Sequence, residues 1–191
     1  MKGIIFIISG PSGSGKTTLA KALFRSKELR KNFVKSISLT TRPKRTGEKE
    51  GKDYFFVSEE EFRQKRKSKK FLEWTRYLGY HYATPKDFVD RQIAQHKNII
   101  FCLDLRGMLK IRRLYPKNTI TIFIMPPSLD ILHQRVKKRC PKTQKEEIRK
   151  RLKFAQQEML ASNRYDYCLV NKDLHETAEK LKDILLRETV S

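Results

Sequence analysis

The stretch Ile5-Phe6-Ile7-Ile8-Ser9-Gly10-Pro11-Ser12-Gly13-Ser14-Gly15-Lys16-Thr17-Thr18 decides how this chain is read. From Gly10 to Thr17 it fits the pattern G-x-x-x-x-G-K-[ST] at every fixed position. An apolar run precedes the loop and a helix-forming run, Thr17 to Phe24, follows it. Glycines there let backbone N–H groups converge on phosphate oxygens. The helix adds its unpaired N–H groups and the positive end of its dipole. Gly10, Pro11, Ser12, Gly13, Ser14, Gly15, Lys16, Thr17 and Thr18 are therefore the expected ATP-binding set. Lys16 would reach the β- and γ-phosphates, and the Thr17 hydroxyl would ligate Mg²⁺.

Outward from that loop, apolar runs recur at Gly3–Ser9, Asn98–Asp104, Thr119–Met125 and Tyr167–Val170, with a weaker one at Phe33–Thr40. They are short, nearly continuous and rich in Ile, Val and Phe, as strands buried on both faces of a parallel sheet are. Helical patterns fall at Gly15–Phe24, Pro85–Gln95, Gly107–Leu114, Ser128–Arg139, Lys145–Ser162 and Leu174–Arg187. The alternation predicts an α/β P-loop fold of three layers, with a parallel sheet of about five strands.

Two segments interrupt it. In Thr41–Tyr82, strand-like pieces at Asp53–Val57 and Phe71–Tyr77 flank a helix-like Glu59–Lys69, which predicts a small inserted α+β lobe. Arg139–Lys145 is a basic loop between helices and is expected to be a mobile, helix-flanked lid. The expected organisation is a single domain over 1–191, with a core (1–35, 86–137, 152–191), a lobe (36–85) and a lid (138–151).

Composition excludes several classes. With 38% apolar and 34% charged residues, the chain is neither disordered nor a membrane protein. Three scattered cysteines and four scattered histidines give no disulfide framework and no zinc-ligand spacing. No export signal is visible, so a cytoplasmic location is expected. The net charge of +22 favours polyanions but names none. No nucleic-acid recognition motif accompanies it, so no specific nucleic acid and no membrane is expected as a partner. Either a monomer or a homodimer is compatible with the sequence.

The lobe carries a second set of anion-binding residues. Arg42 and Arg45 offer planar forks suited to a phosphate group. Tyr54 and Tyr82 could add hydroxyl donors. Glu73 is the only acid in Phe71–Tyr82. A carboxylate there can accept from two adjacent N–H groups, such as N1–H and the 2-amino group of guanine, which adenine lacks. Singly, each has an ordinary reading as a surface arginine, a packed tyrosine or a strand-edge acid. Their clustering favours a site.

In this order, the phosphate loop, Ser-x-Ser-x-Thr-Thr-Arg (36–42), Gly-Lys-Asp-Tyr-x-Phe-Val (51–57), Phe-Leu-Glu-Trp (71–74), Asp-x-x-Gly (104–107), Pro-Pro-Ser (126–128) and Val-Asn-x-Asp-Leu (170–174) resemble the guanylate kinases. The resemblance runs from about Gly3 to Leu186. It implies transfer of the γ-phosphoryl group of ATP to GMP, with ATP and GMP as substrates and Mg²⁺ accompanying ATP. It also implies that Ser38, Glu73, Thr84 and Asp104 read the guanine base or nearby GMP groups. Arg42, Arg45, Tyr54 and Tyr82 would hold the GMP phosphate. Arg135, Arg139 and Arg151, working with Lys16 and Arg42, would neutralise the transferring group, and Asn171 would lie near the adenine of ATP. Independently of the family, Arg135–Lys153 carries ten Lys/Arg in nineteen residues against two acids, a density that an anionic transition state would offset. No general base is needed, because the acceptor phosphate is already anionic.

The chain departs from the family pattern in places. Where the family usually reads Asp-x-Asp-x-Gln-Gly, Cys102 stands for the first Asp and Arg106 for the Gln. That Asp usually supports Mg²⁺, so a raised Mg²⁺ requirement is expected, with Asp104 on the same strand face as a partial substitute. Ala83 replaces a common Gly, Thr84 a common Ser, and Cys140-Pro141 lengthens the lid. Three other readings are a non-catalytic guanylate-kinase-like interaction module, a small kinase for another phosphate acceptor, and a nucleic-acid binder. The intact Lys16 and Thr17 argue against the first, the Ser38/Glu73/Thr84 set against the second, and the missing recognition motif against the third.

Overall fold

The computed structural model describes residues 3–139 and 145–190. The chain runs β1 (Ile5–Ser9), α1 (Lys16–Leu23), α2 (Lys27–Asn32), β2 (Phe33–Lys35), β3 (Leu39–Thr40), β4 (Phe55–Phe56), α3 (Glu59–Lys67), β5 (Phe71–Tyr77) and β6 (Tyr80–Pro85). It continues through α4 (Lys86–Ala94), β7 (Asn98–Cys102), α5 (Leu105–Leu114), β8 (Thr119–Met125), α6 (Leu129–Arg139), α7 (Lys145–Leu160), β9 (Tyr167–Val170) and α8 (Leu174–Val190).

Five strands form one sheet in the order β2-β7-β1-β8-β9, and every pairing in it is parallel. The reason is visible in β1, whose five residues are all buried. Side chains alternate along a strand, so Phe6 and Ile8 pack with Leu19, Leu23, Leu29, Leu181 and Leu185 of the helices on one face. Ile5 and Ile7 pack with Val89, Met108 and Ile111 of α4 and α5 on the other. Two apolar faces require two helical layers, which gives the expected three-layer α/β fold.

The inserted segment holds a second, four-stranded sheet in the order β4-β3-β6-β5. Here β3–β4 is parallel while β3–β6 and β5–β6 are antiparallel. Helix α3 covers it through Phe62, whose ring lies 4.8 Å from both Phe71 and His81.

Several expectations need correction. The Phe33–Thr40 run splits, β2 joining the parallel sheet and β3 the second one. Asp53–Val57 shrinks to Phe55–Phe56. Strand β6 was not expected, because Tyr-His-Tyr-Ala-Thr-Pro lacks clean alternation and its proline reads as a helix start. Pro85 is indeed the N-cap of α4 as well as the end of β6. Helix α2 was also missed; Leu29 is its sole buried residue, too few for periodicity, and Ser26 caps it by accepting from Leu29 N. Of the expected lid, 140–144 lie outside the described residues, and 145–151 open helix α7, which continues unbroken to Leu160. Among the described residues, no helix is long and apolar enough to cross a membrane.

Candidate active site

At the C-terminal ends of β1 and β7 a cleft of about 730 Å³ lies between the phosphate loop and the second sheet. Open α/β sheets place ligands at this end.

One wall is the loop from Gly10 to Lys16. Gly15 sits at φ 102° as the N-cap of α1, and a Cβ there would collide with the Asn171 amide. Only glycine admits both the backbone angle and that approach. The contact has a purpose: Asn171, 4% exposed, donates from Nδ2 to the Ser14 carbonyl at 2.7 Å and so ties the loop to the end of β9. Arg135 in turn donates to the Asn171 carbonyl at 3.3 Å. Lys16 folds back on its own loop, donating to the Gly10 carbonyl and, at 3.0 Å, to that of Pro11. Ser12, Thr17 and Thr18 line the cleft beside it.

The opposite wall belongs to the second sheet. Glu73 of β5 pairs in register with Thr84 of β6, and both are buried. The Thr84 hydroxyl donates to Glu73 Oε1 at 2.7 Å, while Oε2 has no partner among the described residues. Gly107 is what leaves room there, since a Cβ on it would lie 3.2 Å from Oε2. Burial, and to a smaller degree Asp104, push the Glu73 carboxyl up to about 7 against the Thr84 bond. Asp104 is the N-cap of α5; its Oδ1 accepts from Gly107 N at 2.7 Å and its Oδ2 from the Thr75 hydroxyl at 3.2 Å. Each Asp104 oxygen is thus already engaged. Cys102 ends β7 beside it, where burial pushes the thiol up despite Lys35 and Lys16.

Arg42, 5% exposed, shows what local spacing had not revealed. Its Nη2 donates to both Glu48 oxygens at 2.9 Å, and its Nη1 to the Pro43 carbonyl at 2.6 Å. Glu48 also accepts from Arg45 N at 2.9 Å. Burial would push the Glu48 carboxyl up, but the Arg45 N–H and Arg42 outweigh it and hold the group below its ordinary value. The guanidinium rests 5.5 Å from the Tyr54 ring, and Tyr54 meets Tyr82 edge-on at 6.0 Å. Burial pushes the Tyr54 phenol up to about 12, so it stays a hydroxyl donor at neutral pH.

The cleft therefore brings together most residues singled out from the sequence: the loop, Ser38, Arg42, Arg45, Tyr54, Glu73, Tyr82, Asp104, Arg135, Arg151 and Asn171. Thr84 stands behind Glu73. Arg139 ends α6, and its side chain lies outside the described residues. Sequence reasoning missed Glu48, Tyr77 and Glu158, which also line the cleft. Glu48 follows Arg42 by six residues across a loop with no regular spacing, and nothing local points to the other two.

The family model "Guanylate kinase" matches residues 2–188. This chain belongs to the guanylate kinase family. The chain is 41% identical over 187 residues to a guanylate kinase of Caldanaerobacter subterraneus subsp. tengcongensis, covering 98% of this chain and 88% of that one. Against the Mycoplasma mobile guanylate kinase, identity is 44% over 191 residues, covering 97% and 94%. The crystal structure of guanylate kinase from Anaplasma phagocytophilum superposes with a TM-score of 0.81 at 33% identity, covering 100% of this chain and 88% of that one. Guanylate kinase membership accounts for a fold in which the phosphate loop and the second sheet face one cleft.

Proposed function

We infer that this guanylate kinase transfers the γ-phosphoryl group of ATP to GMP, giving ADP and GDP. The observation that carries the guanine assignment is Glu73. A buried carboxylate with one oxygen bonded to Thr84 and the other without a partner asks for an N–H donor from a ligand. N1–H and the 2-amino group of guanine supply two donors side by side, whereas adenine presents an acceptor at N1 and leaves the carboxylate unmatched.

ATP enters on the loop wall, its phosphates cradled by the main-chain amides of Gly10–Thr17 and the N-terminus of α1. Lys16 leaves its loop carbonyls and turns to the phosphates. GMP enters on the sheet wall, its base on Glu73, Ser38 and Asp104 and its phosphate among Arg42, Arg45, Tyr54 and Tyr82. The walls hold donor and acceptor facing each other, and that alignment lowers the barrier. Arg135 of α6 and Arg151 of α7 offset the charge that gathers on the transferring group, and Arg139 is assigned the same role. Segment 138–151 acts as the lid that keeps water from competing with GMP, and 36–85 acts as the GMP lobe.

Among the described residues no three His, Cys, Asp or Glu side chains cluster as a metal site, and Thr17 lines the cleft. This thin donor set fits Mg²⁺, which keeps much of its water and takes further oxygens from phosphates. Thr17 would hold the ion, which when bound neutralises charge on the ATP phosphates. The cytoplasm, where ATP and GMP meet, is the compartment proposed for this reaction. ADP release from MgATP, followed with and without GMP, tests the reading: release should depend on GMP, and a rate indifferent to GMP would contradict it.

A further inference from the structure

Tyr77 ends β5, the strand whose alternate residues Glu73 and Thr75 face the cleft, and by the same alternation its ring continues that row. After it the chain reverses in two residues, Leu78 at φ 50° and Gly79 at φ 86°. Both values are those of a primed hairpin turn, and for a leucine such an angle is strained. The turn brings the Tyr77 hydroxyl to within 3.5 Å of Glu158 Oε2 on α7, 81 residues further along the chain. The Tyr77 ring also lies 6.0 Å from Phe154, a side chain otherwise 44% exposed. Helix α7 itself packs chiefly on α6 through Leu132, Val136 and Ala155. Side-chain tips are therefore what join α7 to the hairpin.

We propose that Tyr77 and Glu158 form a clasp between the hairpin that carries Glu73 and the helix that carries Arg151, and that Glu158 is a positioning residue for phosphoryl transfer. Arg151 and Glu158 stand two turns apart on one face of α7, and both line the cleft. Fixing Glu158 to the hairpin therefore sets where Arg151 meets the substrates. Glu158 has no ion-pair partner among the described residues; its charged neighbours are Lys16 from α1 and Asp104 from the start of α5, with Tyr77 and Tyr165 as the nearby phenols, while Arg151 acts on the Tyr77 end of the pair. Burial pushes its carboxyl up to about 7, with Asp104 adding to the rise while Lys16 and the Tyr77 hydroxyl oppose it. Above that pH an anionic carboxylate accepts the hydroxyl in a charge-assisted bond, and below it the bond weakens.

The inference rests on the GMP-kinase reading, and the test separates the two. GDP formation is measured from pH 6 to 9 for the wild-type chain and for Tyr77→Phe, Glu158→Gln and the double variant, each checked by thermal melting. Both changes preserve shape, and Tyr77→Phe keeps the ring on Phe154. Tyr77→Phe should lower kcat about fivefold at pH 8 with little change in KM for ATP. Glu73 titrates in the same range, so the profile is also read at saturating GMP in a Glu73→Gln background, where Glu158→Gln should remove the rise in kcat that remains through about pH 7. The double variant should lose no more than the more impaired single one. Additive losses, or a pH profile that Glu158→Gln leaves unchanged, would overturn the clasp. A wild type that forms no GDP would instead overturn the underlying reading.

Discussion

Glu73 and Thr84 face each other across the β5–β6 ladder, and the 2.7 Å bond between them satisfies only one oxygen of a carboxylate that is 4% exposed. The bond restrains the carboxylate, and its second oxygen is left buried and without a partner beside Gly107. Replacing Glu73 by Gln exchanges an acceptor pair for one acceptor and one donor. It should cut kcat/KM for GMP about a hundredfold, from the loss of a charge-assisted pair. ATP affinity, measured by calorimetry without GMP, should stay within about twofold, because the loop wall is untouched.

The same carboxyl carries a pH signature. Its folded value, about 7, lies above the ordinary 4.5, so the folded chain binds the extra proton between those values. Stability is then highest below about 4.5 for this group and falls as pH rises toward 7. Glu73→Gln, uncharged throughout, should match the wild type at pH 5 and exceed it at pH 8 by on the order of 2 kcal/mol. Urea melts at the two pH values check this. The variant would be more stable and less active, as a strained site implies.

Glu48 holds Arg42 and the Arg45 backbone at once. Glu48→Ala leaves a buried guanidinium without its counter-charge, which costs about 3 kcal/mol. Urea unfolding should register that loss, and KM for GMP should rise about tenfold as the clamp loosens. Glu48→Gln, which keeps an acceptor, should fall between.

Cys102 stands where the family usually has an aspartate, and both Asp104 oxygens are engaged by Gly107 and Thr75. Cys102→Asp should therefore lower the Mg²⁺ concentration needed for half-maximal rate by about tenfold. Rate titrations against Mg²⁺ for the two chains check it, and superimposable curves would remove the idea.

Much of this fold was legible because the central strands of its main sheet are buried on both faces. β8 reads as a nearly continuous apolar run broken only by threonine, β9 keeps an apolar run although Cys168 and Val170 are exposed, and the observed limits of both coincide with the expected ones. The phosphate loop was legible because its glycines, lysine and hydroxyl serve a local geometry. Short elements were harder: α2 buries only Leu29 and β4 has two residues, so neither has a period to read. β6 was masked by a proline that ends a strand and opens a helix in one step. The partners of Arg42 and Tyr77 were hidden for a different reason. Glu48 is six residues from Arg42 but across a loop with no regular spacing, and Glu158 meets Tyr77 only after the whole core has folded. Contacts that depend on closure of the tertiary fold leave no mark in local pattern.

The central claim, that the two walls of one cleft hold ATP and GMP for direct transfer, is tested most directly by following label from γ-phosphate-labelled ATP into AMP, GMP, CMP and UMP in parallel. The account predicts label in GDP, with the other three diphosphates formed at least about a hundredfold more slowly. Label spread evenly over the four, or absent from GDP with both substrates saturating, would contradict it.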